Sequence, residues 1–395
     1  MAQAVAIRAS ASDRLEQAGL VAFCGVAAAL QFSIAAAQIL LAVAVVCWIA
    51  LLASGRERFQ APRFFWPLAA YAGATLVSAV FSPDARVSLI DCKQLVLFLI
   101  VPMTCTYITR PRSHTLMTLV LTFAAASAVV GIVQYGILHY DNLGQRVQGT
   151  LGHYMTYSGL LMLVLGVALA RVLFGNGDRV WAALVTPALA VAVSLTLTRS
   201  ASVGACAAAA VLLTLKDFRL LAVLPVVAAL FLAFAPNRVN ARFASIFDMN
   251  NPTNRDRVAM LREGAHMIAA HPLVGVGPNM VERLYPQFRD PEAVEPVNPH
   301  LHNVPVQIAA ERGLPALGIW IWFMTVLTLD LVRRFRAAGT DRFLAAAGLS
   351  AVVAMLTAGM FEHNFGNSEF LMLFLIIVTT SFAVDPLADP AVRTS

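Results

Sequence analysis

Charge is scarce in this chain. Charged residues fill 13% of its 395 positions, hydrophobic residues fill 59%, and the mean hydropathy is +0.73. Soluble domains carry about twice that share of charge, so a water-soluble globular fold is excluded and a polytopic membrane protein is expected. Cysteine is sparse too: Cys24, Cys47, Cys92, Cys105 and Cys206 lie in or beside apolar runs, with no CxxC or Cys/His spacing. Neither a disulfide framework nor a metal centre is expected from them. The chain also lacks a Walker loop, HExxH, GxSxG and DxD, so P-loop, zincin and serine-hydrolase chemistry lack their residues. Short alternating segments of the kind that close a β-barrel are missing as well, because the apolar runs are continuous and rich in Ala, Leu and Val.

What is present is a series of apolar runs near the length that crosses a bilayer, about 20 residues. Spans are expected at 16–32, 34–54, 66–81, 94–109, 115–138, 157–174, 180–198, 200–215, 219–235, 304–332, 343–361 and 367–384. The fold class is therefore all-α, with about twelve transmembrane helices. The N-terminus bears arginine but no small-residue cleavage site before the next apolar stretch, so a removed signal peptide is not expected.

Arginine and lysine orient the spans. Even-numbered loops hold Arg56, Arg58 and Arg63; Arg110 and Arg112; Arg171 and Arg179; Lys216 and Arg219; and Arg333, Arg334, Arg336 and Arg342. The short odd-numbered loops hold only Arg86, Lys93, Arg146 and Arg199. By the positive-inside rule the even loops and both termini are cytoplasmic. The net charge of +6 mostly reflects this bias, so no nucleic-acid partner is expected. Three parts follow: spans one to nine in 1–235, an outer cap in 236–303, and the last spans with a cytoplasmic tail in 304–395. Within the cap, NRDRVAMLREGAHMIAA predicts an amphipathic helix of about four turns, with Val258, Leu261, Ala265 and Ile268 on its apolar face and Thr253 or Asn254 as cap.

This topology places Arg146, Arg199, Arg257, His302 and Glu362 on one face, although they come from five separate segments. Charges at the mouths of spans face a cavity or pair with each other, because hydrocarbon does not solvate them. Arg199 alone, in LTLTRSASVG, is better explained as an anchor to lipid phosphates than as a ligand. Three arginines on one face favour a bound phosphate or pyrophosphate, which guanidinium forks hold bidentately.

The stretch NPHLHNVPVQIAAERG supplies His302, which titrates near neutral pH and suits a general base. It is equally well explained as a histidine hydrogen-bonded at a helix start, helped by Asn303. His300 is either its orienting partner or simply loop. Glu311 lies inside the following apolar helix and is expected to pair with an outer-side arginine. Asp290, Glu292 and Glu295, broken up by proline, suit a solvated loop better than a cation site. GVGP at 275–278 is a turn whose N–H groups are a weak candidate for phosphate.

Together RVQGTLGHYMTYSG, TRSASVG, the arginine fourteen residues before HPLVGVG, and HNVPVQIAAERGLPALG resemble the O-antigen ligase and polymerase superfamily of bacterial envelope glycosyltransferases. The resemblance runs from about residue 140 to 370. It implies a multi-helix inner-membrane enzyme of the GT-C type with a large periplasmic loop, here the cap between the ninth and tenth spans. It also implies, without cofactor or metal, a donor glycan carried on undecaprenyl pyrophosphate, membrane lipids around the site and, in the ligase branch, a lipid A-core acceptor. Carried over by motif, His302 stands for the histidine of the family's HN pair, with Asn303 beside it. Arg257 stands for the loop-helix arginine, Arg199 for the span-junction arginine and Arg146 for the arginine before Gly-Thr, while Glu311 and Gly313 fit E-x-G. Two departures are Leu261, where an aromatic is expected, and Pro305 after the HN pair, which bears on where the helix starts and hence on the reach of His302. A polymerase and a protein O-oligosaccharyltransferase share the same donor and remain alternatives. A transporter, which would place ionisable residues deep in its spans, is a more distant one.

Overall fold

In hydrocarbon a backbone can bond only to itself, and long Ala, Leu and Val runs satisfy it as helices. The computed structural model describes residues 2–140, 145–177, 179–234, 240–241, 244–245, 248, 250–337 and 341–384, and no strand occurs among them. In chain order the helices are α1 (Ala2–Ala29), α2 (Ile34–Ala53), α3 (Phe65–Val80), α4 (Ala85–Asp91), α5 (Ile100–Tyr107), α6 (Arg110–Gly136), α7 (Tyr154–Phe174), α8 (Arg179–Leu195), α9 (Arg199–Lys216) and α10 (Val223–Phe234). Then follow α11 (Pro252–Ala270), α12 (Val281–Phe288), α13 (Val304–Arg336), α14 (Arg342–Gly359) and α15 (Ser368–Val384). A 3-10 stretch, Cys92–Leu99, joins α4 to α5.

The helices follow the expected apolar runs, but among the described residues seven are long and apolar enough to cross a membrane. Phe65–Val80, Arg179–Leu195, Phe218–Leu230 and Ser368–Val384 are apolar but shorter. The tail expected after Val384 lies outside the described residues.

Helices α7, α14 and α15 form the inner layer and are buried along most of their length. Outer helices turn apolar side chains outward, such as Ile39, Val46, Leu184 and Val226. At one end of the bundle the arginine-bearing loops are tied together: Arg112 pairs with Glu16 at 3.1 Å, His114 meets Asp341, and Arg171 donates to Thr118. The other end holds the polar residues singled out above.

One break fixes how the cap meets the bundle. Inside α13, Gly313 adopts φ 84°, ψ 166°, which frees the carbonyls of the preceding turn. The N–H groups of Val276 and Gly277 donate to the carbonyls of Ala310 and Glu311 at 2.9 and 2.8 Å, Leu314 N–H donates to Pro272, and Ser78 Oγ donates to the Glu311 carbonyl. The GVGP turn is thus spent on α13 backbone, not on a phosphate. A Cβ on Gly275 would lie 2.2 Å from the Glu311 backbone, and one on Gly313 would lie 2.2 Å from the Leu273 carbonyl oxygen.

The expected cap helix forms as α11, with two corrections. Its cap is Asn251, whose side chain accepts from Thr253 N–H. Its buried face carries Asp256, Ala259, Met260, Glu263, Gly264 and Met267, whereas Leu261 is 42% exposed. The face is rotated because two acids are buried as acceptors. Asp256 Oδ1 takes the N–H groups of Val294 and Glu295, and Glu263 takes that of Asp290. Met260, Met267 and Met280 pack with Val276, Val281, Leu301 and Ala310 in a small second core.

Replacing Gly313 with Ala imposes both a left-handed φ and a backbone clash, and should cost about 2 to 4 kcal/mol. Gly318, with nothing within 4 Å of its Cβ position, should accept Ala at little cost. Thermal unfolding of the detergent-purified variants tests this, and equal midpoints for the two would refute the role given to the break.

Candidate active site

Where α13 begins, Asn303 is the N-cap: its Oδ1 accepts from Val306 N–H at 3.0 Å. Pro305 falls within the first turn, where no N–H is needed, so it does not displace the helix start. The Asn303 side-chain amide donates to the Met360 carbonyl just past the end of α14. That bond draws the segment after α14 against the start of α13 and brings Glu362 to His302.

His302 itself has φ 47°, a left-handed backbone uncommon for residues other than glycine. Its Nδ1 lies 2.9 Å from Glu362 Oε1. Burial raises the Glu362 carboxyl. The hydrogen bond and charge of His302, the His363 N–H at 3.1 Å and the charge of Arg257 outweigh this and hold it below the usual carboxylate value. An ionised carboxylate only accepts, so the Nδ1 facing Glu362 carries a proton, and in the neutral imidazole this tautomer puts the lone pair on Nε2. His300, the candidate orienting residue, instead lies on His363 with ring centroids 4.7 Å apart.

His302 borders two cavities. The smaller, about 250 Å³, is lined by Arg199, Arg257, Val258, Leu261, Leu301 and Phe361 among others. Arg199 Nη1 donates to the Ser245 carbonyl, while its Nη2 is buried without a hydrogen-bond partner among the described residues. Arg257, from the second turn of α11, feels Glu362 and Tyr154. Arg146 lines neither cavity; its guanidinium stacks on the Tyr154 ring at 4.4 Å, close enough for its charge to act on Arg199. The larger cavity, about 520 Å³, is lined by His153, Thr156, His300, His302, Glu362, His363, Asn367 and Glu369, with Met155, Met162 and Phe370 among its apolar contributors. Glu362 Oε2, His363 Nδ1 and Asn364 Oδ1 on its wall have no hydrogen-bond partner among the described residues.

Glu311 is buried, and its arginine is the adjacent Arg312, whose Nη1 donates to Glu311 Oε2 at 2.6 Å. Asn279 N–H donates to the other oxygen. Asp290 and Glu292 face Arg262, at 3.7 and 2.8 Å. Among the described residues no three His, Cys, Asp or Glu side chains are grouped as a metal would require. The sequence reading missed Arg312, His363 and the role of Glu362 beside His302. The repeated HN pairs, His302-Asn303 and His363-Asn364, were the available signal.

These features define a helical membrane protein of several spans with a histidine-centred polar site at one end of the bundle. The family model described as "O-Antigen ligase" matches residues 182–321, from α8 to the middle of α13, which supports membership of the O-antigen ligase and polymerase superfamily. The match includes Arg199, Arg257, His302, Glu311 and Gly313, and stops short of Arg146 and Glu362. No curated protein matches the chain. The family implies an enzyme of the ligase or polymerase kind, acting on polysaccharide or lipid-linked substrate.

Burial, then the charges of His300, Arg312 and His302, hold His363 well below the usual histidine value. Burial first, then His302, also lowers His300. For both, the folded state binds a proton less readily than the unfolded state. As pH falls below about 6.5 the unfolded state gains protons first, so folding stability falls. The unfolding midpoint should therefore drop by a few degrees between pH 7.5 and 5.5, with a shallower drop in His363→Gln; an unchanged slope would refute this account.

Proposed function

We propose that the protein is an O-antigen ligase, transferring a glycan from undecaprenyl pyrophosphate to lipid A-core at the periplasmic face of the inner membrane. The observation that carries this reading is His302. It stands between a cavity edged by arginine and apolar side chains and a larger polar one, with Glu362 on its Nδ1.

The mechanism follows from the charges. Arg199 and Arg257, with Arg146 behind Tyr154, face a pyrophosphate and neutralise the charge that grows on it as the glycosidic bond breaks. Val258, Leu261 and Phe361 receive the first isoprene units of the lipid. A hydroxyl of the acceptor, in the larger cavity, gives its proton to His302 Nε2 as its oxygen attacks the anomeric carbon. The pyrophosphate leaves with the bonding pair. Glu362 holds the imidazole and stabilises the imidazolium, a role that leaves it unavailable as a covalent nucleophile. Single displacement with inversion is the outcome.

The arrangement of parts is 1–235 for the membrane helices, 236–303 for the periplasmic cap and 304–395 for the last spans and tail, with both termini cytoplasmic. In support, the arginine-rich loops gather at the end of the bundle opposite His302. Polymerase activity is the second reading, since a lipid-linked glycan presents the same hydroxyl chemistry.

Purified protein incubated with undecaprenyl-pyrophosphate glycan should give product only when lipid A-core is added, whereas a ladder of lengthened lipid-linked glycan would mean polymerase. His302→Ala should lose about 10² to 10⁴ in kcat with donor binding retained. Near-normal turnover in that variant would remove His302 as the base. Glu362→Gln should fall between the two, and Arg199→Lys should lose less than Arg199→Ala, because Lys keeps the charge but not the fork.

A further inference from the structure

The two cavities that meet at His302 carry opposite electrostatic character. The smaller one has Arg199 and Arg257 and no carboxylate among its described lining residues. The larger one has Glu362 and Glu369 and, among its described lining residues, neither lysine nor arginine. Arg312 lies beyond His363, against a separate small cavity, and is already engaged by Glu311. Arg257 acts on Glu362 but lines only the arginine side.

Helix starts are the remaining source of positive potential in the larger cavity, and two of them are already closed by their own caps. His153 Nδ1 accepts from Thr156 N–H at the start of α7, and Asn367 Oδ1 accepts from Phe370 N–H at the start of α15. The uncapped start of α9 lies between the two: Arg199 and Ser200 line the smaller cavity, and Ser200 and Ala201 line the larger, so its arginine stays on the other side. Among the described lining residues, an anion entering the larger cavity meets two carboxylates and, apart from the imidazoles, no cationic side chain. A neutral sugar meets hydroxyl, amide and imidazole partners, including the unpartnered Asn364 Oδ1 and His363 Nδ1, with Met155, Met162 and Phe370 to lie against its C–H faces.

We infer that the larger cavity selects an uncharged sugar as acceptor and rejects one bearing phosphate or carboxylate next to the attacking hydroxyl. This rests on the transfer reading above and adds the acceptor's chemical class. Glu369 and Glu362 supply the rejection, which is specificity by repulsion.

The test uses the full-length protein, undecaprenyl-pyrophosphate glycan as donor, and two acceptors: lipid A-core ending in an unmodified hexose, and the same core with a phosphate on that hexose. The neutral acceptor should have the higher kcat/KM by about tenfold or more, as expected for like charges within a cavity. Glu369→Gln should narrow that ratio, and Gln94→Lys, which places an ammonium on the cavity wall, should narrow it independently should the first variant fold poorly. Equal or better use of the phosphorylated acceptor by the unmodified protein would overturn the inference and leave the transfer reading standing. So would a ratio unmoved in both variants. Absence of transfer to either acceptor, in protein that still binds undecaprenyl pyrophosphate, would overturn the transfer reading and the inference with it.

Discussion

A helix that breaks inside a membrane protein exposes carbonyls that need new donors, and at Gly313 the donors come from the cap. Val276 and Gly277 supply them, and the glycines at 275 and 313 let the two backbones approach to that distance. Much else follows from this clasp. It ends the first segment of α13 close to its start, sets Glu311 where Asn279 and Arg312 satisfy it, and holds the far end of the cap against the helix that carries His302 at its mouth. HPLVGVG and ERG, separate motifs in the sequence, are two halves of one contact.

From that contact the site is assembled by short polar links. Asn303 both caps α13 and ties down the end of α14, so the histidine and its carboxylate arrive together although they lie sixty positions apart. His302 is kept in a left-handed backbone by this double restraint. Charge is then divided: cations gather on the side where a leaving group would build negative charge, and carboxylates on the side where a hydroxyl would lose its proton.

Much of this was legible beforehand, and the misses have common causes. Apolar runs located the helices because length and hydropathy are local properties. Arg199 and His302 stood out as polar residues at the edges of apolar runs and Arg257 as a cation of the cap helix, and the structure brings all three to one cavity. The buried face of α11 was not, because hydrophobic periodicity assumes that acids point outward, while Asp256 and Glu263 point inward to collect loop N–H groups. The pairing of Glu362 with His302 was also hidden. It depends on which helix ends adjoin, and no spacing in the chain encodes that. For Glu311 the sequence suggested an arginine without saying which, and the structure supplies the adjacent Arg312, just before the break.

The second core beneath the cap is built around Met260, Met267 and Met280. Thioether side chains are unbranched and adjust to irregular gaps better than leucine or phenylalanine. The clasp at Gly313 depends on backbone approach and leaves little room for change, whereas the methionine core above it tolerates altered contours. The cap can thus drift in shape over evolutionary time while its anchor to the membrane helices stays fixed, so the surface over the cavity can be remodelled without rebuilding the chemistry below.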